Sequence, residues 1–565
     1  MADIIEHAPS AAAELSITSP EAPDDRDIAE QEAQSQRMGM GRRAPIIVGL
    51  MLGMLLAALD QTVVGTAMPH VIAELGGQAQ TIAWVATSYL LASTVGVPIY
   101  GKLSDIYGRR IFFMGGMLLF LLGSALSGAS HDMTQLIFFR GLQGLGAGAM
   151  MPIAQAIIAD IFPPVERGKW QGLFMAVFGL ATIVGPFLGG WITDNWGWRW
   201  VFYVNMPVGA LALVTAGFTI PSIVSHRKHR IDYSGSATLI AWSVPLLLAL
   251  TWGGNQYAWD SWQIIALFVF AAVMLLAFLL IEARAAEPII SPRLFKSSIF
   301  SVSSLATFLL SAGMFGAIFF LPYFTQYVMG ESATSSGESL TPMMLGFIVS
   351  SIIGGQLLSR TGHYKILALA GFAIAIIGML LLAKMDASVS EPLLIRNMII
   401  TGLGIGVMMS LFTIVVQNAF PVQQIGEVTA TLVFFRSMGS TIGLSVFGAV
   451  FTNALTADIQ SNMPAALKPF IPISQLTNLG QTQGGSSDLQ AAFARFGPQG
   501  EVLYHQLLEA IKVSFASSIG EVFLMGAAMM ALAFIATLFL KEIPLRKSNR
   551  ASESEPAPAQ VEIGL

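Results

Sequence analysis

Apolar runs of membrane-spanning length recur along almost the whole chain, separated by short polar segments. About 20 apolar residues cross ~30 Å of hydrocarbon as a helix, the conformation that satisfies the backbone where water is absent. Fourteen runs meet this description, with cores at 44–68, 82–100, 111–129, 133–158, 169–193, 200–221, 233–253, 262–281, 298–328, 339–359, 365–384, 392–418, 429–455 and 517–540. One connection is long: residues 456–516 are polar and rich in Gly, Ser and Gln, and read as an extracytoplasmic solvated loop. A short amphipathic helix over 501–514, lying on the membrane surface, is expected within it. A lid over a substrate path is the alternative reading.

Composition agrees with the bilayer as solvent. The chain is 54% hydrophobic and 11% charged, which excludes a water-soluble globule. With no cysteine, disulfides, thiolate catalysis, iron–sulfur clusters and cysteine-bound zinc are excluded, and scattered histidines make no metal site. The net charge of -5 is misleading, because nine acids fall within the first 36 residues against the single base Arg26. Residues 1–43 therefore read as a disordered acidic cytoplasmic tail, without the basic start and apolar core of a signal peptide.

Lys and Arg fall on alternate connections, which orients the chain. One side carries Arg42 and Arg43, Lys102, Arg109 and Arg110, Arg167 and Lys169, Arg227, Lys228 and Arg230, Arg284, Arg293 and Lys296, Arg360 and Lys365, then Lys541, Arg546 and Lys547. The other has only Arg199, Lys384, Lys468, Arg495 and Lys512. Both termini are thus expected in the cytoplasm. The connection Pro421 to Glu427 carries no base and fits by parity alone.

An internal repeat organises the runs. Gly101-Lys-Leu-Ser-Asp105-Ile-Tyr-Gly108-Arg109-Arg110 returns 254 residues later as Gly355 through Gly362 to Lys365. Arg140-Gly-Leu-Gln143-Gly144-Leu-Gly146-Ala-Gly148 is echoed by Arg396 followed by Gly402, Gly404 and Gly406. The expected fold is an all-α membrane protein of 6 + 2 + 6 helices. Its segments are 44–221 (a six-helix bundle), 222–296 (an inserted pair with cytoplasmic linkers), 297–455 (five helices of the second bundle), 456–516 (the loop), 517–541 (the last helix) and 542–565 (a disordered cytoplasmic tail). Parallel repeats of this kind build transporters whose midplane cavity opens alternately to each side.

On these residues the chain resembles the major facilitator superfamily, and within it the fourteen-helix drug:proton antiporters, over about 44–455 and the last run. Asp60-Gln61-Thr62-Val63-Val64-Gly65-Thr66-Ala67-Met68-Pro69 is similar to that family's first-helix signature, with Gly65 where Asn is commonest. An acid in mid-membrane is costly, and a carboxylate alternating between apolar and cationic surroundings can load and release a proton. Asp60 is the expected proton-coupling residue, a permanently bonded helix-pairing Asp being the alternative. Arg140 lies at matching depth and cannot lose its proton, so its expected role is to hold Asp60 ionised, or else to form a static ion pair. Arg396 and Arg436 read as further buried bases with no matching acid, which argues for few coupled protons.

The Gly101–Arg110 loop resembles the family's most recognisable motif and is expected to act as a cytoplasmic gate. Gly101 and Gly108 permit a tight turn and close approach, and Asp105 is suited to the positive end of a helix starting near Gly426. Arg109 is placed to bridge Asp105 to Asp160; Arg109 and Arg110 as plain topology anchors are the alternative. Gly185-Pro186-Phe-Leu-Gly189-Gly190 resembles the antiporter motif held to limit proton leak, and helix packing accounts for its glycines equally well. Trp198 to Gly209 resembles the fourteen-helix subgroup and reads as an interface belt with a broken helix start. Phe315, Phe319 and Tyr323 share a face that packs against lipid or core, or lines a drug cavity with Gln61, Gln143 and Gln417.

No enzyme constellation or nucleic-acid patch is present, and Gly144 to Gly148 lies inside a helix rather than after a strand. The resemblance implies proton-coupled export of amphipathic drugs from the cytoplasm across a bacterial inner membrane, without a cofactor beyond the proton gradient. An exporter of an endogenous lipid or secondary metabolite, and a transport-inactive sensor, are the alternatives; a periplasmic adaptor is left open.

Overall fold

The computed structural model describes residues 40–76, 79–221, 231–254, 256–331, 339–463, 493 and 497–546. Its long helices are α1 (Met40–Leu75), α2 (Ala79–Tyr107), α3 (Arg109–Gly128), α4 (Met133–Ile161), α5 (Pro164–Trp196), α6 (Trp200–Thr219, broken at Val204), α7 (Tyr233–Trp252) and α8 (Trp262–Glu282). They continue with α9 (Ser298–Tyr327), α10 (Thr341–Thr361), α11 (Tyr364–Ala383), α12 (Glu391–Ala419), α13 (Ile425–Asn462) and α14 (Gly497–Leu538). Thirteen helices among the described residues are long and apolar enough to cross a membrane. Helix α2 is long enough, but Thr87, Ser88, Ser93 and Thr94 dilute its apolar run.

Local chemistry sets several helix ends. Asp132 accepts from Gln135 N at 2.8 Å to start α4, and Asp232 accepts from Gly235 N at 2.7 Å to start α7; each meets a backbone donor that the helix leaves unpaired. Gly108 (φ 97°) separates α2 from α3, and Gly362 (φ 72°) ends α10 at the matching place in the repeat. Both need the left-handed region that a side chain disfavours.

The packing order of the first six helices recurs in the last six. Helix α1 packs on α5 and α6, α2 on α4, and α3 on α4 and α6; likewise α9 packs on α13 and α14, α10 on α12, and α11 on α12 and α14. Between the two sets, α2 meets α13 and α5 meets α10, while α7 and α8 pair with each other and α7 leans on α2 and α13. In lipid, close backbone approach replaces the hydrophobic drive to associate. A Cβ on Gly144 would come 2.3 Å from Tyr89 O, and one on Gly402 2.0 Å from Met343 O. Gly146 and Gly404 are equally tight, each 2.3 Å from a backbone nitrogen, of Phe120 and Ala375 respectively.

These glycine pairs lie 258 residues apart, not 254, and that register corrects one expectation. Arg396 falls opposite Phe138, which is 70% exposed, while the counterpart of Arg140 is the buried Met398. Two positions turn a helix by about 200°. Arg396 is accordingly exposed and donates to its neighbour Asn397 Oδ1 at 3.0 Å rather than being buried.

The long connection is also different. Helix α13 continues to Asn462 and α14 begins at Gly497, so the segment 501–514 is the start of the last helix and not a separate surface helix. At 38 and 42 residues the two helices extend about 57 and 63 Å, well beyond ~30 Å of hydrocarbon. Asn462 Nδ2 donates to Ser514 Oγ at 3.1 Å and Ser518 Oγ to Asp458 Oδ2 at 3.1 Å, tying the extensions together. At the C-terminal side, Tyr364 OH donates to Lys541 O at 2.8 Å and accepts from Ile543 N at 2.6 Å. Asn418 donates to Pro544 O at 3.2 Å and accepts from Arg546 N at 3.0 Å. Residues 541–546 are therefore fixed against α11 and α12. The expected N-terminal tail before Met40, the bases Arg227, Lys228, Arg230, Lys468, Arg495 and Lys547, and the C-terminal tail after Arg546 lie outside the described residues.

Gly402→Val is expected to lower the thermal unfolding midpoint in detergent by several degrees, since overpacking costs roughly 1–3 kcal/mol. Gly190→Ala, with no atom within 4 Å of its added Cβ, leaves the midpoint unchanged. Equal midpoints for the two variants, followed by tryptophan fluorescence, would contradict the packing account.

Candidate functional site

Asp60, Arg140, Gln143 and Asn205 converge from α1, α4 and α6. Asp60 and Arg140 are each 2% exposed, and Arg140 Nη1 donates to Asp60 Oδ2 at 2.5 Å. Gln143 Nε2 and Asn205 Nδ2 donate to Asp60 Oδ1 at 2.8 and 3.2 Å. Arg140 Nη1 also donates to Gln143 Oε1 at 2.7 Å. The Arg140 guanidinium lies 4.2 Å from the centroid of the Tyr89 ring on α2, a cation–π contact in a dry setting. Ser124 on α3 completes the chain: its hydroxyl accepts from Asn205 Nδ2 at 3.0 Å and donates to Phe202 O at 2.9 Å.

Glycines bring these groups within reach. A Cβ on Gly123 of α3 would come 2.5 Å from Gln143 N, and Gly144 on α4 faces the backbone of Tyr89. On α6, Pro207 offers no N–H to the carbonyl of Tyr203, and the break at Val204 starts a new helical segment at Asn205. On α5, a Cβ at Gly185 would meet Thr62 Oγ1 at 1.9 Å and one at Gly189 would meet Thr66 Oγ1 at 2.3 Å. The Gly185-Pro186 segment thus lies flush against α1, one turn from Asp60, and Thr62 Oγ1 donates across to Ala181 O at 3.3 Å. Gly190 has open space beside it.

Chemically, the cluster is a carboxylate with both oxygens engaged and one cation facing it. Removing one partner of such a pair leaves an uncompensated buried charge, worth about 3–5 kcal/mol. A proton delivered to Asp60 cancels its charge and turns an acceptor oxygen into a donor, which loosens its hold on Arg140 and the two amides.

A second constellation lies at the end where Lys102, Arg109 and Arg110 gather. Asp105 accepts from Gly426 N at 3.1 Å and from Glu427 N at 2.8 Å, at the first turn of α13. Free N–H groups and the helix dipole make that end attractive to a carboxylate. Arg109 pairs with Asp105 at 2.7 Å and also with Asp160 at the end of α4. Gly101 allows the approach, since a Cβ there would come 2.2 Å from that of Ala430. Arg110 turns away and donates to the carbonyl of Gly217 near the end of α6.

Four partners here were given no site role from the sequence. Lys102 Nζ pairs with Glu427 Oε2 at 3.1 Å, and Glu427 Oε1 accepts from Ser291 N at 3.0 Å. Arg167, read as a loop cation, is 1% exposed and donates to Ala159 O at 2.7 Å and Phe162 O at 2.9 Å. It caps the end of α4. The repeat-related approach, in which a Cβ on Gly355 would come 2.1 Å from Gly168 O, closes α10 on α5. Around Asp60, the polar Asn205 and Ser124 inside apolar runs were the signal for the remaining partners, but nothing in their spacing pointed to Asp60.

The residues expected to line a cavity are divided. Gln61, Phe319 and Tyr323 are exposed and Phe315 is half-buried, with Phe319 and Tyr323 stacked at 6.1 Å. Gln143 and Gln417 are buried instead: Gln143 belongs to the Asp60 cluster, and Gln417 donates to Thr429 Oγ1 at 3.0 Å in the seam between the helix sets.

Since the chain has no cysteine, one introduced thiol reports on the seam. Ala156→Cys, at a fully buried position beside Ile425, is expected to react several-fold faster with a maleimide when Asp105→Ala is added. An unchanged labelling rate would mean that Asp105 does not hold the seam shut.

Comparison with known proteins assigns the chain. The family model described as Major Facilitator Superfamily matches residues 50–444. The multidrug transporter protein MdtP of Bacillus subtilis (strain 168) is 39% identical over 530 residues, covering 92% of this chain and 97% of the relative. Multidrug resistance protein 3 of the same organism is 40% identical over 495 residues, covering 88% and 94%. Among solved structures, the human organic anion transporter MFSD10 (TETRAN) matches with a TM-score of 0.56 at 15% identity, over 86% of this chain and 99% of that one, a likeness of fold. The family match and these near full-length relatives place the chain among membrane-embedded small-molecule transporters rather than enzymes: it belongs to the major facilitator superfamily.

Proposed function

We propose that the protein is a fourteen-span antiporter, arranged as 6 + 2 + 6 with both termini in the cytoplasm of a bacterium. It exports amphipathic small molecules across the inner membrane in exchange for protons. The observation that carries this reading is the ionisable pair Asp60–Arg140, sealed among apolar helices with Gln143 and Asn205 on the same carboxylate. An intramembrane acid is costly to keep unless it is used. The recurring packing order of the helix sets supports the two-bundle arrangement, and the names of the two bacterial relatives support a role in drug efflux.

In the proposed cycle the basic end faces the cytoplasm, and the contacts of Asp105, Arg109 and Asp160 with α13 hold that side closed while Asp60 is reached by protons from outside. Protonation frees Arg140 from its charge partner, and the bundles rock to open the cytoplasmic seam. Cargo then enters and the proton leaves, because Asp60 regains its affinity for Arg140. Gly185 and Gly189, set flush on α1, keep water from bypassing this step beside Asp60. Gln61, Phe315, Phe319 and Tyr323 form the cargo-facing surface.

The test is uphill efflux of a fluorescent dye in proteoliposomes with an imposed pH gradient. Asp60→Asn keeps the shape and the hydrogen-bonding amide but cannot carry a proton, and is expected to reduce gradient-driven transport to the level of empty vesicles at equal protein content. A variant that still concentrates dye against its gradient would remove Asp60 from the coupling.

A further inference from the structure

Three arginines are buried among the described residues: Arg140, Arg167 and Arg436. The first faces Asp60 and the second caps backbone carbonyls. Arg436 does neither. Its hydrogen bond goes to Met151 Sδ at 3.0 Å, a weak acceptor, and among the described residues no carboxylate lies within 4.0 Å of it. It sits about 16 Å along α13 from Ile425 at 1.5 Å per residue, too deep for its head to reach an interface along its stem. With a residue exposure of 7%, the cation is desolvated and unneutralised.

Its surroundings are polar in the same unsatisfied way. Arg436 shares a helix face with Thr429 and Leu432, turned towards α4 and α12, where Thr429 Oγ1 accepts from Gln417. One turn beyond Met151 on the same face of α4 lies Gln155, fully buried, with neither its Nε2 nor its Oε1 in a hydrogen bond. Gln417 Oε1 and Gln171 Oε1 also lack partners, while their amide nitrogens reach Gln155 O at 3.4 and 3.5 Å. A strip of one cation and three amides thus runs along the seam where α4, α5, α12 and α13 meet. Buried amides without partners and a buried cation without an anion are each destabilising.

We propose that this strip is a binding site for the carboxylate of the transported molecule, so that the preferred cargo is an amphipathic organic acid rather than a permanent cation. The guanidinium fork matches a carboxylate, Gln155 supplies an adjacent N–H donor, and the seam is where cargo arrives when the cytoplasmic side opens. A cationic drug meets like charge at Arg436. The assignment rests on the exporter reading above and names its substrate class.

Binding to the purified full-length protein in detergent tests it, using pyrenebutyric acid, its methyl ester and pyrenebutylamine followed by fluorescence anisotropy. The wild type is expected to bind the acid tighter than the ester or amine by roughly tenfold or more. Arg436→Gln abolishes that preference while ester binding stays as it was, which also shows the variant to be folded; Arg436→Lys retains part of it, and Gln155→Leu weakens the acid alone. A wild type that binds ester or amine as well as the acid overturns the proposal without any variant, as does an Arg436→Gln protein that keeps the preference. No gradient enters this measurement. Acid-selective binding without gradient-driven export refutes the proton coupling and leaves the site standing, whereas gradient-driven export with no acid selectivity refutes the site alone.

Discussion

A carboxylate in the middle of a bilayer has to be held, because neither water nor lipid solvates it. In this protein Asp60 is held by a guanidinium and two amides from two other helices, and much of the first bundle follows from that demand. Helix α4 must approach α2 and α3 closely enough to present Arg140 and Gln143, which the glycines at 123, 144 and 146 permit. Helix α6 must break to place Asn205, and Pro207 supplies the reason for the break. The charge and the close packing are thus one arrangement, since a helix displaced by a side chain at any of these glycines would pull a donor away from the acid.

The second bundle keeps the scaffold and drops the acid. Gly402, Gly404 and Gly406 reproduce the close contacts of the first bundle, yet Met398 stands where Arg140 stands and Thr401 where Gln143 does. What the second bundle holds in exchange is Arg436, at the boundary between the sets. The asymmetry divides labour in the proposed cycle: protons are handled in the first bundle, and the charge of the cargo is read from the second. Joining them at the basic end is a latch of mixed chemistry, in which Asp105 meets the backbone of α13 while Lys102 meets the side chain of Glu427. Backbone donors at a helix start have a fixed direction, so in the proposed cycle this contact is lost as a unit when the bundles tilt.

Much of this was legible in the linear chain, because the bilayer imposes a rule that sequence alone can satisfy. Every spanning segment must be apolar for about 20 residues and must bond its own backbone, so helix positions and the repeat follow from composition along the chain. Residues that are costly where they stand, such as Asp60 and Arg140, stand out for the same reason. Asp105 and Arg109 were legible only through a motif, and the motif named the correct neighbourhood at Gly426.

Other features depended on which way a helix is turned, which no local pattern fixes. Arg396 and Arg436 look alike as bases within apolar runs, yet a register of 258 residues turns the first outward, while packing of α13 against α4 turns the second inward. Arg167 looked like a topology signal and is a buried cap on α4. Gln417 looked like a cavity residue and is locked into the seam, and the segment near Glu501 is the outer part of one long helix because α13 extends far enough to pack beside it. Sequence by itself determined that there are helices in a membrane and which apolar runs carry a charge, since those depend on the residues of each segment alone. Tertiary structure alone decided which of those charges meet, because the meeting depends on helix rotation and ångström-scale approach, both set by contacts between residues far apart in the chain.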